Sequence, residues 1–166
     1  MTHHLVLGGA RSGKSSYAEQ CALRLSANPI YIATADAGDN EMGARIAKHK
    51  NDRSNAWHII EEPLRLAEVI NSVKQPNVIM IDCLTLWLSN CLHKESWQSH
   101  KDDFLETIKL SKHKLILVSN EVGMGIVPMG ALSRQFVDEI GWLHQTLAQH
   151  CDNVTQVVAG LPQKLK

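Results

Sequence analysis

The feature that most limits the fold is the octapeptide Gly8-Gly9-Ala10-Arg11-Ser12-Gly13-Lys14-Ser15, which directly follows the apolar run Leu5-Val6-Leu7. It fits the pattern G-x-x-x-x-G-K-[ST]. Its glycines let the main chain curl so that successive N–H groups point inward at phosphate oxygens. A helix starting near Lys14 brings the positive end of its dipole to the same point. Lys14 then reaches the β- and γ-phosphates, and the Ser15 hydroxyl is placed to ligate Mg²⁺. At average composition, a chance match in a chain of this length is rarer than about 1%. The competing reading is a glycine-rich turn with no ligand. The strand before the loop and the helix after it favour a nucleoside triphosphate, with Gly8 to Ser15 as its binding residues.

The rest of the chain repeats that strand–helix alternation. Strands are predicted at 30–33, 58–60, 78–81, 115–118 and 154–159, with a short edge at 161–166. Helices are predicted at 15–25, 40–52, 63–73, 84–91, 97–111 and 133–150. The runs Val78-Ile79-Met80-Ile81 and Leu115-Ile116-Leu117-Val118 are continuously apolar, as strands covered on both faces are. These signs predict a three-layer α/β fold: a P-loop, RecA-like domain with a mostly parallel central sheet and helices on both faces. The 166 residues contain no repeat or linker, so residues 1–166 are read as one domain. Ligands of such sheets bind at the carboxyl ends of the strands, so the residues that follow each strand are the ones to question.

Composition removes several function classes. Lys plus Arg and Asp plus Glu both number 17, which excludes a long basic track for nucleic acid or a membrane surface but not a pocket sized for one triphosphate. No signal peptide and no membrane span are expected. The four cysteines form no C-x-x-C pair and are expected to be reduced thiols of a cytoplasmic protein. The nine histidines are scattered without an H-x-x-x-H pair, so no metal cage is predicted.

Two further places carry chemistry. Asp82 ends an apolar strand, where P-loop proteins put the carboxylate that completes the magnesium shell. The alternative is a cap for the helix near Leu84. In the segment 41–53, Glu41, Arg45, His49 and Arg53 recur every four residues and form one polar stripe on a helix. A solvated charged face gives the same pattern. A neutral imidazole can also attack phosphorus, and Arg45, Lys48, Lys50 and Arg53 stand ready to neutralise phosphate. Nucleotidyl transfer through a phosphoramidate and a kinase with a basic substrate clamp both remain open on these residues.

Five stretches together resemble one family: GGARSGKS (8–15), YIAT (31–34), Glu41-Met42 with Arg45-Ile46 and His49, NEVGMGIVP (120–128), and VVAGLP (157–162) followed by Lys164-Leu165-Lys166. The chain is similar over nearly its whole length to the bifunctional adenosylcobinamide kinase / adenosylcobinamide-phosphate guanylyltransferases of cobalamin biosynthesis. The resemblance implies two reactions. A nucleoside triphosphate, ATP or GTP, first gives its terminal phosphate to the aminopropanol hydroxyl of adenosylcobinamide. GTP then gives GMP to that phosphate through a histidine–GMP intermediate, releasing pyrophosphate and forming adenosyl-GDP-cobinamide. His49 falls in the family's histidine motif and is, with Lys14, the implied catalytic residue. The implied nucleotide contacts beyond the loop are Ala33, Thr34, Ala35, Lys50, Asn51, Asp52, Arg53, Glu61 and Asp82, with Mg²⁺ at Ser15 and Asp82. The family also implies a homotrimer. This chain departs from the family pattern at Asp82, where some members carry Glu, at Val137, where many carry a basic residue, and at His144, where Asn is common. Asn120 and Glu121 follow a buried strand, so substrate positioning and a purely structural loop are both open for them. Two rival functions are a simple P-loop kinase and a nucleotide-dependent regulatory protein.

Overall fold

The computed structural model describes residues 2–35 and 56–166. Its strands are β1 (His4–Gly8), β2 (Ile30–Ala33), β3 (His58–Glu61), β4 (Val78–Asp82), β5 (Lys114–Asn120), β6 (Asn153–Val158) and β7 (Leu161–Lys164). They form one sheet in the order β3-β2-β4-β5-β1-β6-β7. Every neighbouring pair is parallel except β6–β7, which closes an antiparallel hairpin at one edge. The helices are α1 (Lys14–Leu25), α2 (Leu66–Ser72), α3 (Leu84–His93), α4 (Trp97–Leu110) and α5 (Ala131–His150).

The continuous apolar strands are two-sided. Along β4, Ile79 and Ile81 join one core while Val78 and Met80 join the other, and β5 splits the same way between Leu115 and Leu117 and Ile116 and Val118. A period of two explains this, because successive side chains leave opposite faces of a strand. One face is covered by α1, through Ala18 and Ala22. The other is covered by α2 to α5. There Trp87 is fully buried, with ring centroids 5.1 Å from Trp97 and 4.8 Å from Phe104. Its indole N–H donates to the Leu64 carbonyl at 2.7 Å, which satisfies the one polar atom it brings into the core.

The elements expected among the described residues form with their ends shifted by up to three residues. β5 runs two residues past Val118 because Ser119 and Asn120 find partners in Leu7 and Gly8 of β1. The helix expected from Pro63 starts only at Leu66. The Glu62 carboxylate accepts the N–H groups of Leu64 and Arg65 at 2.9 and 2.8 Å, so a side-chain-stabilised turn takes up those residues first. α5 begins at Ala131, two residues before Ser133. The helix expected over 40–52 lies outside the described residues. All four cysteines are free. Burial pushes the Cys91 and Cys151 thiols up to about 12, which keeps them protonated and unreactive. Among the described residues no helix is long and apolar enough to cross a membrane.

Candidate active site

The loop Gly8 to Ser15 leaves the carboxyl end of β1 and enters α1, and main-chain bonds hold its shape. Ser12 N–H donates to the Gly9 carbonyl at 3.3 Å, and Tyr17 N–H donates to Gly13 at 3.0 Å to close the first turn of α1. Gly13 has φ +91°, a left-handed conformation that a Cβ would strain, and a Cβ there would also lie 3.2 Å from Gly160 Cα. A Cβ on Gly8 would meet Ser12 Oγ at 2.4 Å and the Val157 carbonyl at 2.7 Å, so only glycine fits. The β6–β7 turn supports the loop from behind, where Gly160 N–H donates to the Ser12 carbonyl at 2.8 Å. Gly9, Ala10 and Arg11 are exposed at the loop's crest, and Ser15 is half-buried on the first turn of α1. Lys14 is buried and its Nζ donates to the Gly9 carbonyl at 3.2 Å, so the ammonium lies across the loop. The Ser12 hydroxyl is buried with no hydrogen-bond partner among the described residues.

Register brings the acidic residues to the same edge. Ala33 pairs with Glu61 on one side and with Asp82 on the other, so the three residues stand level across β3, β2 and β4. Strand β5 separates β4 from β1. Asp82 is therefore level with Val6 of β1, two strand spacings or about 10 Å across the sheet and two residues short of Gly8. Glu61 is exposed and Asp82 half-buried. Asp82 does not cap α3: the N-cap is Cys83 and no side chain bonds the helix end. Near Pro63 it is the Glu62 carboxylate that accepts the N–H groups of Leu64 and Arg65. Asp82 Oδ2 instead accepts the Tyr31 hydroxyl at 3.0 Å.

Ala33, Thr34 and Ala35 are all buried. The Thr34 hydroxyl donates to the Cys83 carbonyl and accepts the Cys83 N–H, both at 2.8 Å. Its side chain therefore clamps the end of β2 to the end of β4. Asn90 of α3 adds to this clamp by donating to the carbonyls of Thr34 at 2.8 Å and Pro63 at 3.1 Å. Between the phosphate loop and Asp82 comes the end of β5. Glu121 N–H donates to the Gly8 carbonyl at 3.0 Å, and Asn120 donates to the Thr85 hydroxyl at 2.9 Å. Thr85 in turn lies 3.1 Å from Cys83 Sγ. His144, on α5, is buried and shares a hydrogen bond of 2.7 Å with Ser119. Desolvation pulls its imidazole down to about 4, against an upward pull from the Glu121 charge. Val137 lines a groove of about 430 Å³ with Leu92, Val122, Leu132 and Phe136. Val137, one of the chain's departures from the family pattern, thus contributes an apolar side chain to this groove.

The structure thus gathers Gly8 to Ser15, Ala33 to Ala35, Glu61, Asp82, Asn120 and Glu121 at one edge. His49, Lys50, Asn51, Asp52 and Arg53, with Glu41, Arg45 and Lys48, lie outside the described residues. Sequence reasoning did not single out Tyr31, Thr85, Asn90 or Ser119. Each lies in an element it anticipated, but they act through partners 51, 35, 56 and 25 positions away, respectively, and no local pattern carries that information.

A parallel sheet with a phosphate loop after its first strand and a carboxylate two strands away defines a P-loop protein of RecA-like fold. An ATPase domain of known structure shares that fold, with a TM-score of 0.50 at 12% identity, over 93% of this chain and 68% of that one. The family model for cobinamide kinase / cobinamide phosphate guanyltransferase matches residues 4–165. The bifunctional adenosylcobalamin biosynthesis protein CobP of Pseudomonas aeruginosa is 49% identical over 98% of this chain and 96% of its own. The CobU proteins of Escherichia coli and Salmonella typhimurium, of the same description, are 36% and 37% identical over 98% of both chains. The chain belongs to the cobinamide kinase / cobinamide phosphate guanyltransferase family, and it is an enzyme of that family.

Proposed function

We propose that the chain carries out both reactions of its family. It phosphorylates the aminopropanol hydroxyl of adenosylcobinamide, then transfers GMP from GTP to the new phosphate. The observation that carries this reading is the single edge on which the phosphate loop, the Glu61 and Asp82 carboxylates and the Asn120–Glu121 loop meet, in a chain matched by the family model over residues 4–165.

In the first step the hydroxyl oxygen attacks the γ-phosphorus and the bond to the nucleoside diphosphate breaks. Lys14 and main-chain N–H groups of the loop stabilise the charge that grows on the phosphate oxygens. The hydroxyl proton passes to an acceptor at this edge, where Asp82, Glu61 and Glu121 offer carboxylates among the described residues. In the second step His49 attacks the α-phosphorus of GTP and pyrophosphate leaves. The cobinamide phosphate then attacks the phosphoramidate, the P–N bond breaks, and adenosyl-GDP-cobinamide forms.

Among the described residues no group of three or more His, Cys, Asp or Glu could hold a metal unaided. One hydroxyl on Ser15 and one carboxylate on Asp82 suit Mg²⁺, which takes most of its oxygens from phosphate and water. Bound there, Mg²⁺ would supply charge neutralisation to the phosphates. The trimer implied by the family resemblance is supported by exposed apolar side chains on one stretch, Met124, Ile126, Val127, Met129 and Leu132. Light scattering should return the mass of three chains.

The test is radiolabel transfer. GTP labelled at the α-phosphate should leave an acid-labile label on the protein, and His49→Ala should abolish it. Label arriving from the γ-position, or persisting in His49→Ala, would overturn the covalent step. Phosphate transfer without any adduct would leave a simple kinase.

A further inference from the structure

Tyr31 is the one described side chain that reaches the Asp82 carboxylate, and the strand geometry explains how it does so. Ala33 pairs with Asp82, so Tyr31 stands two residues back on the neighbouring strand. Two residues of strand rise about 6.6 Å, which is close to the length of a tyrosine side chain laid forward along the strand. Tyr31, Ala33 and Met80 share the face covered by α1, so by the alternation of strand side chains Asp82 is on that face too. Lys14 and Ser15 begin α1 on the same side. The tyrosine ring is 5% exposed and meets Trp57 edge-on, with centroids 5.8 Å apart and planes at 89°. A hydroxyl on a ring held this firmly donates to Asp82 Oδ2 at 3.0 Å.

We propose that Tyr31 is a positioning residue: by holding Oδ2 it fixes the rotation of the Asp82 carboxylate and presents Oδ1 to the cation of the nucleotide complex. This rests on the reading of Asp82 as the carboxylate on the magnesium side. Groups that orient a metal-binding carboxylate commonly change metal affinity by about 10- to 100-fold when removed.

The test uses the whole chain and a fluorescent GTP analogue, whose affinity is measured with Mg²⁺ and again in EDTA. The readout is the ratio of the two. Tyr31→Phe keeps the ring and its contact with Trp57 and removes only the hydroxyl. It should lower the magnesium-dependent gain about tenfold and leave affinity in EDTA unchanged. In an Asp82→Ala background, Tyr31→Phe should lower the gain no further, because its effect passes through the carboxylate. Thermal unfolding of each variant checks that it is folded. If Tyr31→Phe keeps the wild-type gain, or lowers it again beside Asp82→Ala, the positioning role is overturned while the assignment of Asp82 stands. If Asp82→Ala alone keeps the wild-type gain, the assignment of Asp82 falls and the role of Tyr31 falls with it.

Discussion

At the β1 end of the site the shape is held by main chain. Glu121 N–H meets the Gly8 carbonyl, Ser12 N–H meets Gly9, and Gly160 N–H meets Ser12. At the β2–β4 end the main-chain bonds of Thr34 to Asp82 and of Glu62 to Ala33 are joined by a set of side chains: Thr34 on Cys83, Tyr31 on Asp82, Asn120 on Thr85, and Asn90 on two carbonyls. The two ends suit different ligands. A phosphate presents oxygens in many directions and is met well by a ring of N–H donors, which a curled backbone supplies. A cation or a base edge needs a carboxylate at one orientation, and only neighbouring side chains can impose that. The main-chain half should therefore be broken by adding a Cβ or removing Lys14. The side-chain half should be broken by removing single hydroxyls or imidazoles.

Four experiments separate the halves, in order of falling effect. Lys14→Met removes the buried cation that lies across the loop and should lower kcat/KM for both reactions roughly a thousandfold, while the unfolding midpoint stays close to wild type. The second concerns His144 at the β5 end. Its imidazole titrates near 6.5 when unfolded and near 4 when folded. The folded state thus favours the neutral form. The associated stability is complete above pH 6.5 and is lost as pH falls toward about 4, a total of about 3 kcal/mol. Burial lowers His3, His4 and His113 as well, so they add to the same acid slope. Urea unfolding at pH 7.5, 6 and 5 should show that slope, and His144→Asn should flatten part of it.

Thr34→Val is the third. It leaves the Cys83 N–H without its partner and should cost about 2 kcal/mol by denaturant unfolding, with most of the loss restored in Thr34→Ser. A silent Thr34→Val would mean that the β2–β4 clamp is not what holds this end. The smallest effect is expected from Gly13→Ala, about 1–2 kcal/mol for placing a Cβ at φ +91°. Nucleotide affinity should fall with it. If affinity holds while stability drops, the loop tolerates more distortion than its main-chain bonds suggest.

Legibility follows the same division. The phosphate loop was readable because glycines that permit a curl, and the lysine and serine beside them, are contiguous in sequence. Asp82 was readable because it ends an apolar run, and Glu61 through a family pattern. That Glu61, Ala33 and Asp82 lie level was not readable, because strand register is set by pairing between segments 28 and 49 residues apart. Nor was the commitment of the Thr34 hydroxyl to Cys83. A threonine after a strand looks the same in sequence whether it faces a ligand or clamps a neighbour. Glu61 and Glu62 are adjacent carboxylates before Pro63, and only the fold shows that Glu62 accepts the N–H groups of the turn that follows.

By itself, the sequence determined the α/β alternation, the two-sided strands, the phosphate loop and the family. Each of these rests on local periodicity or on contiguous residues. The tertiary structure decided the strand order that sets β5 between the phosphate loop and Asp82, the hairpin that supports the loop, and the tyrosine that holds the carboxylate. Those features arise from contacts between residues far apart in the chain, and their geometry exists only once the sheet has closed its register.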